Sequence, residues 1–291
     1  MKLTFGKINN LRYFYDYVEE KKEKNMTQNS DLLAELKVLN SEKDRLIKRI
    51  YEEMESAAEY VMTLLPAEFD DDKLHATSLY FPASSIGGDT FGYGYIDKEN
   101  FSFYLLDVCG HGIKSTLHSV TILHTLNNKL LRRTDFKQPA EVLFHLNNRF
   151  LMSEYNELYF TTFYAVYNTS KRTLRYAGAG NPPVFLIHSD GSEQILESEN
   201  RITGFLPDTG FSSRTIEIPD AAEMYLFTDG VYDFKRSNGI HGNEQDIFES
   251  IRNNRINHKD ELQNIFIDSI SNNGDRALAD DFTVLRISFK K

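Results

Sequence analysis

The apolar positions of this chain change their spacing near Pro66. Between residues 26 and 65 they follow a spacing of four and three residues, and glycine and proline are nearly absent. This spacing predicts an amphipathic helix with a coiled-coil seam. The seam positions are Leu32, Leu36, Leu39, Lys43, Leu46, Ile50, Ala57, Val61 and Leu64.

Two features weaken this seam. Lys43 occupies an inward position, and a four-residue step leads from Ile50 to Met54. We therefore expect a short, adjustable homodimer rather than a stiff rod. A single helix that lies on its own domain is the alternative. Residues 1–25 are aromatic and then charged, which fits either a sensor remnant or a docking segment.

Beyond Pro66 the apolar residues alternate with a period of two, which predicts β-strands. The predicted strands are 74–81, 101–108, 158–167, 173–176, 184–188, 215–218, 224–227 and 282–289. Helical patterns cover 113–133, 139–153, 244–253 and 259–272. Strands grouped around pairs of helices predict an α+β fold with antiparallel sheets flanked by helices. We assign residues 1–65 to an N-terminal segment with a dimerisation and regulatory helix, and 66–291 to the main domain.

Composition narrows the class of protein. The 291 residues carry a formal net charge of −10, which argues against binding to nucleic acid because phosphates would be repelled. The single cysteine, Cys109, excludes an intramolecular disulfide and favours the reducing cytoplasm. No run of about 18 consecutive apolar residues occurs, so neither a membrane span nor membrane association is expected.

Aspartates recur where predicted strands begin or end, and glycines often flank them. The four motifs are Gly87-Gly88-Asp89, Asp107-Val108-Cys109-Gly110-His111-Gly112, Thr228-Asp229-Gly230 and Asp280-Asp281-Phe282-Thr283. One such Asp-Gly pair is usually a plain turn, so the prediction of a functional site rests on the occurrence of all four motifs in one chain.

Carboxylates in this setting suit hard cations such as Mg²⁺ or Mn²⁺. Two such ions, about 3.5–4 Å apart, can direct hydroxide at phosphorus, which predicts hydrolysis of phosphate esters. Asp107 follows an apolar strand and is the best-placed bridging ligand.

These motifs, together with Pro82 and Ala179-Gly180-Asn181-Pro182-Pro183, occur in the order found in one enzyme family. From residue 64 to about residue 289 the chain resembles PPM-type (PP2C-like) serine/threonine phosphatases, and among them the bacterial RsbU/SpoIIE-like branch. The resemblance implies a sandwich of two antiparallel β-sheets flanked by helices. It also implies a pair of Mn²⁺ or Mg²⁺ ions at one edge of the sandwich. The helix before Pro66 resembles the linker through which this branch is regulated.

The resemblance also implies roles for individual residues. Asp107 would bridge both metals, the Val108 carbonyl would bind one, and Asp229 and Asp280 would hold the other. Asp89 would orient the attacking water or join the metal shell. Possible supporting residues are Gly88, Gly110, His111, Gly230 and Asp281. For His111 two roles stay open: donation of a proton to the leaving alkoxide, and bracing of the glycine-rich turn.

The chain departs from the family pattern at three positions. Cys109 occupies a position where the family usually has serine, and Asn181 one where histidine is common. Gly92 occupies the position where a second aspartate often follows the Gly-Gly-Asp motif. None of these changes removes a principal proposed ligand. The missing carboxylate at Gly92 puts a third metal site in doubt.

Other enzyme classes fit the sequence less well. Gly87-Gly88-Asp89-Thr90-Phe91 resembles the signature loop of diguanylate cyclases, but Thr90 replaces the expected acidic residue and the later aspartates would be unexplained. A cysteine phosphatase built on Cys109 needs an arginine to hold phosphate, and Ser115 occupies its position. A catalytically silent binding module of the same fold is the remaining alternative, although the intact carboxylates argue against it.

The sequence therefore predicts a cytoplasmic protein serine/threonine phosphatase that depends on two Mn²⁺ or Mg²⁺ ions to activate water. Its expected substrate is a phosphorylated regulatory protein. By resemblance, that substrate is a STAS-type anti-sigma-factor antagonist. An upstream activator is expected to contact the N-terminal helix of a homodimer.

Overall fold

The computed structural model of the protein describes residues 5–110, 112–155, 157–234, 236, 241–255, 261–272 and 278–291. The chain forms two compact units, with the division between Met54 and Glu55. The first unit consists of helix, and the second contains both β-sheets.

A single helix, α1 (Phe5–Leu64), contains the predicted seam. The helix predicted for residues 26–65 is confirmed, and it begins much earlier, at Phe5. It ends just before Leu65 and Pro66 because the proline ring disfavours helical geometry in the preceding residue. In the first unit the apolar seam residues are exposed: Leu32, Leu36, Leu39, Leu46 and Ile50.

The second unit contains two sheets in which all neighbouring strands described here are antiparallel. Its strands are β1 (Phe69–Asp70), β2 (Leu74–Phe81), β3 (Asp89–Tyr95), β4 (Asn100–Val108), β5 (Phe160–Asn168), β6 (Thr173–Ala179), β7 (Val184–Ile187), β8 (Glu193–Leu196), β9 (Arg214–Glu217), β10 (Ala222–Phe227) and β11 (Phe282–Phe289). Sheet A has the order β1-β2-β11-β10-β7-β8, and sheet B has the order β3-β4-β5-β6-β9.

The two sheets pack face to face because their strands alternate in the way that period-two patterning requires. Along β4, Phe103 and Leu105 point into the core between the sheets, whereas Tyr104 and Leu106 face the helices over sheet B. The same alternation on β11 sends Leu285 into the central core. Each sheet therefore has two buried faces.

Four helices cover the outer faces: α2 (Ile113–Asn127), α3 (Pro139–Arg149), α4 (Glu244–Asn254) and α5 (Glu261–Asn272). The pair α2 and α3 packs on sheet B, and the pair α4 and α5 packs on sheet A. The predicted α+β sandwich with flanking helices is thus confirmed. None of the helices that the structure describes is long and apolar enough to cross a membrane.

Several predicted boundaries differ from the observed ones. The helix predicted to reach residue 133 ends at Asn127, because Lys129 adopts a left-handed conformation (φ 52°) that a helix cannot continue through. Strand β3 was not predicted, since Gly92 and Gly94 weaken the strand pattern. At Gly92 an added Cβ would collide with the Tyr104 side chain, so the glycine is needed for packing.

A buried ion pair fastens α5 to sheet A. The Arg286 Nη1 atom lies 2.6 Å from Glu261 Oε2, and the Tyr225 hydroxyl donates to Glu261 Oε1 at 2.5 Å. Tyr225 and Arg286 are direct partners on β10 and β11. The Glu261 side chain is only 1% exposed, so its charge depends on these two partners rather than on water.

We predict that Glu261→Gln lowers the free energy of unfolding by about 3–5 kcal/mol, because it leaves the Arg286 charge buried without a counter-ion. Urea unfolding followed by tyrosine fluorescence measures this change. As a control, Lys137→Ala breaks the exposed pair with Asp97 and is expected to cost less than about 1 kcal/mol. Equal effects of the two substitutions would contradict the assigned role of the buried pair.

Candidate active site

The strand register of sheet B brings two of the predicted aspartates together. Asp89 at the start of β3 and Asp107 near the end of β4 are directly opposite in the ladder. Opposite residues of antiparallel strands point to the same face, with Cβ atoms about 4.5–5.5 Å apart. The sheet therefore places two carboxylates side by side at one edge.

Sheet A contributes the other aspartates at the adjacent ends of β10 and β11. The last residue of β10, Phe227, pairs with Val284 near the start of β11. Asp229 follows β10 in a short 3-10 helix, and Asp280 lies two residues before the start of β11. The antiparallel pairing thus brings together residues that lie about fifty positions apart in sequence.

Hydrogen bonds link the two sheets through Asp89. The Thr228 hydroxyl donates to Asp89 Oδ2 at 2.8 Å, and the Thr283 hydroxyl donates to the same oxygen. Asp89 is buried, so these hydroxyls replace water as its hydrogen-bond donors. The sequence contained both threonines within its motifs but gave no sign that they hold this carboxylate.

The grouped carboxylates disfavour each other's charge. Burial, followed by the negative charges of Asp229 and Asp280, raises the pKa of Asp107 to about 7. Burial and the charge of Asp107 likewise raise the pKa of Asp89 well above its usual range. The pKa of Asp229 is raised by burial and by Asp280. These shifts show that the charges of Asp107, Asp229 and Asp280 act on one another across the two sheets.

Asp281 has a different role from its neighbours, because backbone donors surround its carboxylate. Its Oδ1 accepts from the Ala83 N–H at 2.8 Å. Its Oδ2 accepts from the Gly88 N–H at 2.5 Å and from the Asp89 N–H at 3.4 Å. Asp281 therefore fixes the loop that leads into β3.

The turn after β4 brings backbone oxygens close to the aspartates. A Cβ atom at Gly88 would lie 2.9 Å from the Val108 carbonyl oxygen, so only glycine leaves that oxygen uncrowded. Gly110 adopts φ 82°, which a residue with a side chain rarely adopts. Gly230 lies against the backbone of Asp281. His111, for which two roles were predicted, lies outside the described residues.

Cys109 is held as a structural residue of this turn. Its N–H donates to the Tyr159 carbonyl at 3.0 Å, and its Sγ accepts from the Tyr159 N–H at 3.3 Å. Burial raises the pKa of the Cys109 thiol, which reduces its thiolate fraction. A covalent mechanism through this cysteine is therefore disfavoured.

Two residues around the site, Thr116 and Tyr80, were not predicted from the sequence. The Thr116 hydroxyl of α2 donates to the Gly87 carbonyl at 2.7 Å, which ties this helix to the loop before β3. The pKa of Tyr80 is raised by burial and then by the charges of Asp281 and Asp89, so its phenol lies within their field. Neither residue belongs to a motif that the sequence analysis used.

The donor set suits divalent cations, because crowded carboxylates with raised pKa values gain most from added positive charge. In the part of the chain that the structure describes, no three His, Cys, Asp or Glu side chains converge on one point as metal ligands do. The aspartates thus offer cations negative charge at one edge of the sandwich, without a closed coordination shell among the described residues.

Comparison with known proteins identifies the family. Residues 97–290 match the family model described as Stage II sporulation protein E (SpoIIE), and this match covers more than half of the chain. The chain therefore belongs to the SpoIIE family. The resemblance to the RsbU/SpoIIE-like branch is confirmed.

Two curated relatives come from Bacillus subtilis (strain 168). Phosphoserine phosphatase RsbP is 28% identical over 183 residues, which cover 62% of this chain and 45% of RsbP. Phosphoserine phosphatase RsbU is 28% identical over 240 residues, which cover 82% of this chain and 70% of RsbU. The chain thus spans less than half the length of RsbP and about 70% of RsbU.

Solved structures share the fold at low identity. The SiaA-PP2C domain of Pseudomonas aeruginosa has a TM-score of 0.71 at 19% identity, covering 84% of this chain and 98% of that chain. RsbX in complex with magnesium has a TM-score of 0.56 at 16% identity, covering 77% of this chain and 99% of that chain. The sandwich is therefore a PP2C-type fold.

For the metal-free protein we predict opposite effects of two substitutions. The pKa of Asp107 in the folded protein, about 7, lies above the value of 3.8 that is ordinary for an aspartate. The stability that it contributes is therefore present below pH 3.8 and is lost as the pH rises through 7. Asp107→Asn, which does not titrate, is expected to unfold at higher urea than the wild type at pH 8, and to lose this advantage at pH 4.

Asp281→Asn is expected to lower the free energy of unfolding by about 1–3 kcal/mol at pH 8, because an amide cannot accept all three backbone hydrogen bonds. Urea unfolding in EDTA at both pH values measures the two variants side by side. An Asp107→Asn variant that is less stable than the wild type at pH 8 would disprove the mutual repulsion.

Proposed function

We propose that this chain is a metal-dependent protein serine/threonine phosphatase. The observation that carries the proposal is the group of carboxylates from both sheets, in which Asp89, Asp107 and Asp229 have raised pKa values. Membership of the SpoIIE family and a PP2C-type fold support the same activity.

The proposed metal ligands are Asp107, the Val108 carbonyl, Asp229 and Asp280, with Asp89 orienting the attacking water or joining the shell. When bound, two Mg²⁺ or Mn²⁺ ions would activate water and offset the charge of the phosphate. The relative RsbX, which shares the fold, was solved with magnesium. Thr228 and Thr283 keep Asp89 in a single orientation by donating to its Oδ2.

Asp281 and the glycines act on this centre indirectly. Asp281 holds the backbone of Gly88 and Asp89, which sets the position of the Asp89 carboxylate. Gly88 leaves the Val108 carbonyl uncrowded. A preformed arrangement of this kind reduces the reorganisation needed when charge develops on the phosphate.

The proposed substrate is a regulatory protein that carries phosphoserine or phosphothreonine. RsbP and RsbU are both named phosphoserine phosphatases, which supports this substrate class. We propose a STAS-type anti-sigma-factor antagonist as the particular substrate and the cytoplasm as the location. The alternative, a silent binding module, would have no need for a group of mutually repelling carboxylates.

The proposed activity is tested with p-nitrophenyl phosphate and a phosphoserine peptide in Mn²⁺, in Mg²⁺ and in EDTA. We expect turnover that requires the cation and that Asp107→Asn reduces by about a hundredfold or more. Cys109→Ser is the control and is expected to retain activity within a few-fold. Turnover unaffected by EDTA would exclude the metal mechanism, and inactivity of the folded wild type with every cation would favour the silent module.

We further propose that α1 forms a homodimer and is the contact site for an upstream activator. The exposed seam residues Leu32, Leu36 and Leu39 support this proposal. Lys43→Leu is expected to lower the dimer dissociation constant by about tenfold, since it replaces a charge in the seam. Sedimentation velocity measures it, with Lys48→Leu, outside the seam, as the control. A monomeric wild type, or equal effects of the two substitutions, would rule out this seam.

A further inference from the structure

An open cavity of about 230 Å³ lies beside the first two turns of α2. Six described residues line it: Lys114, Leu117, His118, Thr121, Tyr155 and Leu158. Four of them follow the spacing of one helix face, so a regular stretch of α2 forms one wall. The second wall comes from the segment before β5.

One residue that lines the cavity, His118, carries a buried polar atom without a hydrogen-bond partner among the described residues. His118 is only 5% exposed, and among the described residues no group hydrogen-bonds to its Nε2 atom. Its ring packs against Phe150, Tyr155 and Phe160, which hold it in place. A buried polar atom without a partner is uncommon in a folded protein, so the packing around His118 is incomplete in hydrogen bonding.

Exposed apolar side chains lie on α2 at the cavity and one turn before it. Leu117 is 63% exposed and Ile113, one helical turn earlier, is 54% exposed. The Phe205 ring, also exposed, lies 6.3 Å from the ring of Tyr159, which follows Leu158 in the sequence. Ile113 and Leu117 are neighbours on one helix face, and adjacent exposed apolar side chains of this kind mark interaction surfaces.

This surface adjoins the candidate active site through hydrogen bonds. Leu158 precedes Tyr159, whose backbone exchanges two hydrogen bonds with Cys109. Cys109 in turn follows the proposed ligands Asp107 and Val108. A protein substrate whose phosphoserine reached these aspartates would therefore lie over the neighbouring surface, including the cavity.

The size and charge of the cavity favour one side chain as its occupant. Pockets for small molecules usually measure about 300–1,000 Å³, so 230 Å³ is small for such a ligand and ample for a single large side chain. Lys114, at the cavity, supplies positive charge in a chain of net charge −10. A phosphorylated and hence anionic partner suits this position.

We propose that this cavity receives a large apolar side chain of the phosphoprotein substrate, a few residues from its phosphoserine. The cavity would then select among phosphoproteins, while the aspartates act on the phosphate itself. This inference rests on the proposed phosphatase function and adds a specificity subsite to it.

The test uses alanine-rich phosphoserine peptides in which one leucine is moved through the four positions on either side of the phosphoserine. With the wild-type full chain in Mn²⁺, we expect leucine at one or two positions to raise kcat/KM by about tenfold over the all-alanine parent, mainly through KM. Leu117→Asp is expected to abolish that gain while turnover of the parent peptide and of p-nitrophenyl phosphate stays unchanged.

Ile267→Asp is the matched control, since Ile267 is also an exposed apolar residue on a helix and lies on α5. It is expected to keep the leucine preference. Turnover without any positional preference, or a preference that survives Leu117→Asp, would overturn the docking pocket and leave the phosphatase function intact.

Two further outcomes separate the possible failures. A Leu117→Asp variant that changes the sedimentation coefficient and keeps the leucine preference would assign the surface to a second copy of the chain. A wild type that hydrolyses neither the peptides nor p-nitrophenyl phosphate would remove the proposed function and this subsite together.

Discussion

Like charges held together at one edge of the sandwich are the constraint on which the rest of this structure depends. Asp89 and Asp107 face each other in sheet B, and Asp229 and Asp280 approach from sheet A. Their mutual repulsion disfavours folding, so the surrounding residues must compensate. The threonine hydroxyls on Asp89 and the large cores on both faces of each sheet supply that compensation.

The supporting residues join elements that are far apart in sequence. Asp281 binds the backbone of the loop before β3, and Thr116 attaches α2 to the same loop. Tyr159 is joined to the turn after β4 through Cys109. Because α2 begins directly after that turn, a shift of α2 would displace the backbone beside Asp107. The candidate site and the apolar cavity on α2 are therefore parts of one connected region.

Much of the fold could be predicted because it follows from local pattern. The period-two strands around Phe103 and Leu285, and the helix that ends before Pro66, were readable from spacing alone. Strand β3 was not predicted, because its glycines have little strand propensity. Gly92 is required there because the Tyr104 side chain from the neighbouring strand occupies the space of a Cβ atom. The start of α1 at Phe5 was also missed, since the preceding aromatic and charged residues lack a regular seam.

For the site, the sequence by itself determined which carboxylates and glycines were present and in what order. Only the tertiary structure decided that the Asp281 carboxylate accepts hydrogen bonds from backbone N–H groups. It also decided that Asp107 lies among charges that raise its pKa to about 7. The structure also revealed Thr228, Thr283 and Tyr80 around Asp89. Adjacent residues of one motif can differ in this way because hydrogen-bond partners and local charge come from strands nearly two hundred residues away, and no local pattern records them.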